Sequence, residues 1–222
     1  ACRPVLSVEA RVALTLRVVG GLSTQEIARA FLTSEATIGQ RIVRAKRALT
    51  AARVPFEAPD AQARAERLSS VLEVIYLIFN EGYSATAGED WIRPALCDEA
   101  LRLGRLLAEL APDESEVHGL VALMALQASR MAARVDAQGR PVLLMDQDRS
   151  RWDRLLIRRG LQALDRARAL GGANRPYALQ AELAACHAVA PSAEQTDWAR
   201  IVSLYDQLAC VAPSPVVELN RA

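Results

Sequence analysis

The chain has 222 residues, a formal net charge of +1, 51% hydrophobic, 24% charged and 5% aromatic residues. That apolar fraction supports a packed core and excludes wholesale disorder, and the length allows one or two domains. No apolar run approaches the ~18 residues a membrane span needs, and no secretory signal opens the sequence, so a cytoplasmic protein with no membrane role is expected.

The near-neutral total conceals an asymmetry. Residues 1–53 carry eight Arg and Lys46 against Glu9, Glu26 and Glu35, a balance of +6, whereas residues 54–222 balance at −5. A basic module is therefore expected beside a larger acidic one. Arginine supplies 26 of the 27 basic residues, which fits a GC-rich genome, so no single Arg reads as chosen over Lys.

Helical periodicity runs through the chain. Ser7 is a predicted N-cap for a helix that ends at Gly20-Gly21, with Val8, Val12, Leu16 and Val19 on one face. Ser23 to Glu26 has the spacing of a capping box, and the short helix that follows should bury Ile27, Ala28 and Phe31. After a tight turn at Leu32-Thr33, Ser34 caps a longer helix to about Ala52, with Ile38, Ile42, Ala45 and Leu49 as its inner face. Val54–Asp60, with Pro55 and Pro59, reads as a linker. Next comes a helix over 61–79 with Leu68, Val71, Leu72, Ile75 and Ile78 on one face, broken at Asn80–Ser84. Helices are then expected near 91–110, 115–131, 151–170, 176–189 and 197–211, with a small β-hairpin around Val135–Leu144 and a last helix starting near Val216.

The expected fold is all-α. A helix-turn-helix domain (1–53) is followed by a linker (54–60) and a helical extension (61–222) of stacked hairpins. In DNA readers the second helix of such a pair enters the major groove. Once Ile38, Ile42, Ala45 and Leu49 turn inward, the outer face presents Glu35, Thr37, Gln40, Arg41, Arg44 and Arg47. Arginine can donate two bonds to guanine and Gln can pair with adenine, each worth roughly 1–3 kcal/mol of discrimination. Lys46 and Arg47 suit phosphates, as do the hydroxyls of Ser34 and Thr37 at the helix N-terminus.

The segments Leu6-Ser7, Ala13–Arg17, Gly20–Ala28, Ser34–Ile38 and Gln40–Lys46 resemble region four of extracytoplasmic-function sigma factors. The resemblance implies recognition of the −35 promoter element and docking on the β flap of core RNA polymerase, with Thr37, Gln40, Arg41 and Arg44 at groove-facing positions. Tyr76–Ser84, Asp146–Asp153 and Ala212–Ala222 are similar to a subgroup with a long helical extension related to tetratricopeptide repeats. The start departs from that subgroup, with Ala1-Cys2-Arg3-Pro4 where Cys-Cys-His-Pro is frequent. Region two, which melts promoter DNA in that family, has no counterpart among these motifs, so the sequence reads as the C-terminal part of a longer factor.

Within the extension, Asp146, Asp148, Arg149, Trp152 and Asp153 form the densest polar cluster, read as an internal network or a partner surface. Asn80, Glu81, Gly82 and Tyr83 form a second motif, with Gly82 at a positive φ or a close approach and Tyr83 packed. Trp91, Trp152 and Trp198 read as packing anchors. Cys2, Cys97, Cys186 and Cys210 are too dispersed for a disulfide framework or zinc site and are expected reduced and mainly buried. His118 and His187 have no ligand-spaced partners. No catalytic set, metal or cofactor is expected. The acidic extension could contact the basic domain and mask its DNA face. The alternative is a helix-turn-helix regulator with a helical ligand- or protein-sensing domain.

Overall fold

A computed structural model describes residues 6–31, 33–52, 61–83 and 92–221, without the side chains of residue 30 and residues 61–66. The linker, Cys2, Leu32, Trp91 and Ala222 lie outside the described residues. The fold is all-α and divides into two compact units, Ala1–Leu103 and Gly104–Ala222.

The N-terminal unit contains α1 (Val8–Val18), α2 (Thr24–Ala30), α3 (Glu35–Ala51), α4 (Ala61–Tyr83) and the start of α5 (Pro94–Leu110). The caps form as the sequence predicts. Ser7 accepts from the Ala10 N–H. Ser23 and Glu26 close a complete capping box, and that exposed carboxyl is held below its usual pKa chiefly by the Ser23 N–H. Ser34 accepts from the Thr37 N–H. Leu16, Ile27 and Ile38 are fully buried where α1, α2 and α3 meet. Val19 is 48% exposed because α1 ends before it, and Phe31 and Leu49 are only half-buried.

Helix α4 packs on α1, so this compact unit extends beyond the helix-turn-helix. The Arg11 guanidinium donates to Ser70 Oγ at 2.6 Å and to Glu73 Oε2 at 3.0 Å. Arg102 donates to the Val19 carbonyl at 3.3 Å, tying α5 to the end of α1. The charge asymmetry has its place here. Residues 54–103 hold Arg64, Arg67, Arg93 and Arg102 against Glu57, Asp60, Glu66, Glu73, Glu81, Glu89, Asp90, Asp98 and Glu99, a balance of −5. Residues 104–222 hold fourteen arginines and fourteen acids. The excess acid of the extension thus falls within residues 54–103 of the sequence, and residues 104–222 are neutral in sum.

Within the predicted break at Asn80–Ser84, α4 runs on through Tyr83, and Ser84 lies outside the described residues. Gly82 is there for closeness, because it is not among the positive-φ glycines. A Cβ at Gly82 would stand 2.8 Å from the Cys97 nitrogen and 2.9 Å from the Arg93 carbonyl. The Gly82 carbonyl accepts from the Arg93 N–H at 2.7 Å, and Glu81 pairs with the Arg93 side chain. Tyr83 stacks on Phe79 with ring centroids 5.5 Å apart.

The second unit is built round α6 (Ser115–Ala128), whose buried positions occupy most of its circumference, as expected of a central helix. It packs on α7 (Arg154–Ala169) and α8 (Pro176–Val189); α8 packs on α9 (Trp198–Val211), and α9 on α10 (Pro215–Arg221). The buried Glu182 carboxylate joins three helices, accepting from Arg168 at 3.1 Å and Arg200 at 2.6 Å. The expected hairpin at Val135–Leu144 reduces to a single bridge between Val135 and Pro141, because proline has no N–H to extend a ladder. Cys97 is buried, Cys186 half-buried and Cys210 exposed, so the expectation of mainly buried thiols fails at Cys210. Trp152 is 2% exposed, but Trp198 is 47% exposed and makes an edge contact with His187.

Candidate nucleic-acid interface

The phase of α3 decides which side chains can reach a groove. Ile38, Ile42 and Ala45 are its buried residues. At ~100° per residue, Arg47, Gln40, Arg44 and Thr37 then share an outer sector about 80° wide, with Arg41 at its edge. Gln40, Arg44 and Arg47 are exposed. Glu35 and Lys46 are also exposed but lie about 140–160° round from the centre of that sector. The eight residues singled out from the sequence therefore do not form one face. The sequence already holds this distinction, since the i+3/i+4 spacing of Gln40, Arg44 and Arg47 excludes Lys46 from their row.

Ser34 and Thr37 serve the helix first. The Ser34 hydroxyl accepts from the Thr37 N–H at 3.1 Å, and the two hydroxyls lie 2.8 Å apart. One of them donates to the other, which leaves one hydroxyl proton for an anion at the N-terminus of α3. Thr37, Gln40, Arg41 and Arg44 line a concavity of about 380 Å³ whose other wall is Leu6, Ser7 and Ala10 from the start of α1. Sequence reasoning missed that wall, because the pairing of α1 with α3 is a tertiary fact.

Arg41 differs from its neighbours. It is half-buried and also lines a smaller concavity of about 150 Å³ with Glu9, Val12, Phe31, Ile38, Leu77 and Glu81. Glu9 is held below its usual pKa first by its own backbone N–H and the Ser7 hydroxyl, with Arg41 and Arg11 adding attraction. Arg41 therefore stands between the outer face and the acids of α1 and α4. Arg11 and Arg17 are turned to structural work, the first on Ser70 and Glu73, the second on the Leu22 carbonyl at 2.9 Å.

The extension motif has a structural geometry. Asp148 caps the 3-10 turn Arg149–Arg151 through the Ser150 N–H at 2.9 Å. The Arg149 guanidinium lies 4.6 Å over the Trp152 ring and donates to the carbonyls of His187 and Ala190 at the end of α8. Asp153 caps α7 by accepting from the Leu155 and Leu156 N–H groups at 2.8 and 2.9 Å. Asp146 is exposed at the end of its own 3-10 turn. Among the described residues no group of three His, Cys, Asp or Glu is arranged to hold a metal ion, and no helix is long and apolar enough to cross a membrane.

The family described as Sigma-70, region 4 matches residues 4–49. A family of unknown function (DUF6596) matches residues 67–168. The chain is 54% identical over 222 residues to an uncharacterized protein of Rhizobium meliloti (strain 1021), covering 99% of this chain and 52% of that protein. The chain thus spans about half the length of that relative. No solved structure matches significantly. With the capped helix pair, the donor-rich outer sector of α3 and the matched residues 4–49 taken together, the N-terminal helices carry a region four of the sigma-70 type.

Proposed function

We propose that this chain is the promoter-recognising and regulatory part of an alternative sigma factor. In this reading, the outer sector of α3 contacts the −35 element, with Gln40 and Arg44 reading base edges and Arg47 and the Ser34–Thr37 hydroxyl pair held on phosphates. The same domain docks on the β flap of core polymerase, and the tetratricopeptide-like extension regulates the complex in the cytoplasm. The observation that carries the reading is the phase of α3. Its buried residues leave Gln40, Arg44 and Arg47 together on the exposed side.

The regulatory role rests on charge and packing. The −5 segment 54–103 belongs to the same compact unit as the +6 helices, and Glu81 of α4 shares a concavity with Arg41. Acid placed beside the edge of a DNA-reading face lowers the positive potential there and competes with phosphate.

The test combines the chain with core RNA polymerase and measures binding to promoter duplexes by fluorescence anisotropy. Arg44→Glu with Arg47→Glu should weaken −35-dependent binding by at least tenfold while capture of core polymerase persists. Unchanged promoter binding would remove α3 as the reader. Promoter binding with no capture of core polymerase would favour a conventional helix-turn-helix regulator.

A further inference from the structure

We infer that the exposed face of α7 is a second, sequence-independent docking surface for the DNA phosphate backbone, separate from α3. Arg154, Arg158 and Arg159 are all exposed, with Arg151 exposed in the 3-10 turn just before them. The buried residues of α7 are Ile157, Gly160, Leu164 and Ala167. At ~100° per residue, Arg154, Arg158 and Arg159 spread over about 140° on the side away from these four.

Ion pairs engage some arginines of this unit and leave others free for a partner. Arg140 pairs with Asp136 at 2.7 Å, Arg166 with Asp113 at 3.3 Å, and Arg221 with Asp206 at 2.7 Å. Arg168 and Arg200 share Glu182. Those pairs occupy acids of a unit whose formal charge is zero. Among the described residues no carboxylate lies within ion-pair distance of Arg154, Arg158 or Arg159. The nearest acid in sequence, Asp153, is spent on the Leu155 and Leu156 N–H groups. Positive charge is therefore left without an ion-pair partner on this face of α7.

Position along the helix is the second, independent observation. Arg154 is the first residue of α7, and Arg158 and Arg159 stand one turn further on. The N-terminus of a helix carries the positive end of its dipole, so a basic residue in the first turn is destabilising and an anion is favoured there. Arg154 in the first turn, where folding alone would prefer an acid, and Arg158 and Arg159 one turn on complement an anionic partner. DNA is the occupant that fits, because the chain already carries a DNA-recognition module and a row of arginines tracks repeated phosphates without needing a base sequence.

The experiment uses the whole 222-residue chain and short duplexes of unrelated sequence, with affinity followed by anisotropy from low to moderate salt. The triple variant Arg154→Gln, Arg158→Gln, Arg159→Gln keeps good helix formers in α7. It should weaken binding to every duplex to the same degree and reduce the slope of log affinity against log salt by about 2–3, close to one for each phosphate no longer neutralised. An unchanged affinity and slope overturns the inference, as does an absence of binding by the unmodified chain at low salt. Unchanged DNA binding with failed capture of core polymerase overturns it too, by assigning the face to an acidic protein. If Arg44→Gln with Arg47→Gln leaves binding intact while the α7 variant weakens it, the α7 surface stands and the reading of α3 falls.

Discussion

The outward placement of Gln40, Arg44 and Arg47 depends on Ile38 being core, so Ile38→Ala tests the phase of the reading helix. The Ile38 side chain is fully buried. The substitution removes three carbons. Lost transfer free energy at ~0.8 kcal/mol per carbon, together with a cavity that closes only in part, gives about 3–4 kcal/mol of destabilisation. At roughly 4–8 °C per kcal/mol for a unit of about this size, the melting transition of the N-terminal unit should fall by about 15–25 °C. Circular dichroism during heating and urea titration both read this, and the transition of the second unit should not move. Val43 on the same helix is 46% exposed, so Val43→Ala should stay within about 0.5 kcal/mol. If Ile38→Ala costs less than about 1 kcal/mol, or Val43→Ala costs more than it does, the helix is rotated and the assigned face is wrong.

Gly82→Ala should destabilise the N-terminal unit by about 1–2 kcal/mol in urea titration, because the overpacking cost of a Cβ 2.8 Å from the Cys97 backbone nitrogen outweighs a helix-propensity gain of about 1 kcal/mol; increased stability would show that α4 and α5 are not so close. His187 has its pKa lowered from 6.5 to about 4, first by burial and then by Arg130 and Arg149, so the folded state favours the neutral imidazole. Its contribution is fully present above pH 6.5 and is lost as pH falls through about 4. With partial solvent screening allowed for, the loss should be about 1–2 kcal/mol. His187→Gln should flatten the stability–pH profile of the second unit across that window, and an unchanged profile would clear His187 of the role.

Much of the local architecture was legible in the sequence. Ser7, Ser23 and Ser34 are followed by the amides they cap, and capping depends on residues no more than three apart. The inner face of α3 followed from spacing alone, because periodicity is a local property. That same spacing separated Lys46 from the row of Gln40, Arg44 and Arg47, although charge by itself drew them together.

Other features needed the tertiary structure. Asn80–Tyr83 contains polar residues and Gly82 and so suggests a break, yet the helix continues because α5 comes close enough to use the glycine. The mixed polar cluster at 146–153 was open to several readings until Arg149 was seen on the end of α8, some forty residues away along the chain. Charge shows the division most clearly. Sequence alone established that +6 and −5 lie on opposite sides of residue 53, since composition is additive along a chain. Only the packing of α4 on α1 decided that Glu73 meets Arg11 and that Glu81 stands near Arg41, and only the tertiary structure decided which arginines of the second unit find a carboxylate, because electrostatic partners are chosen by distance in space.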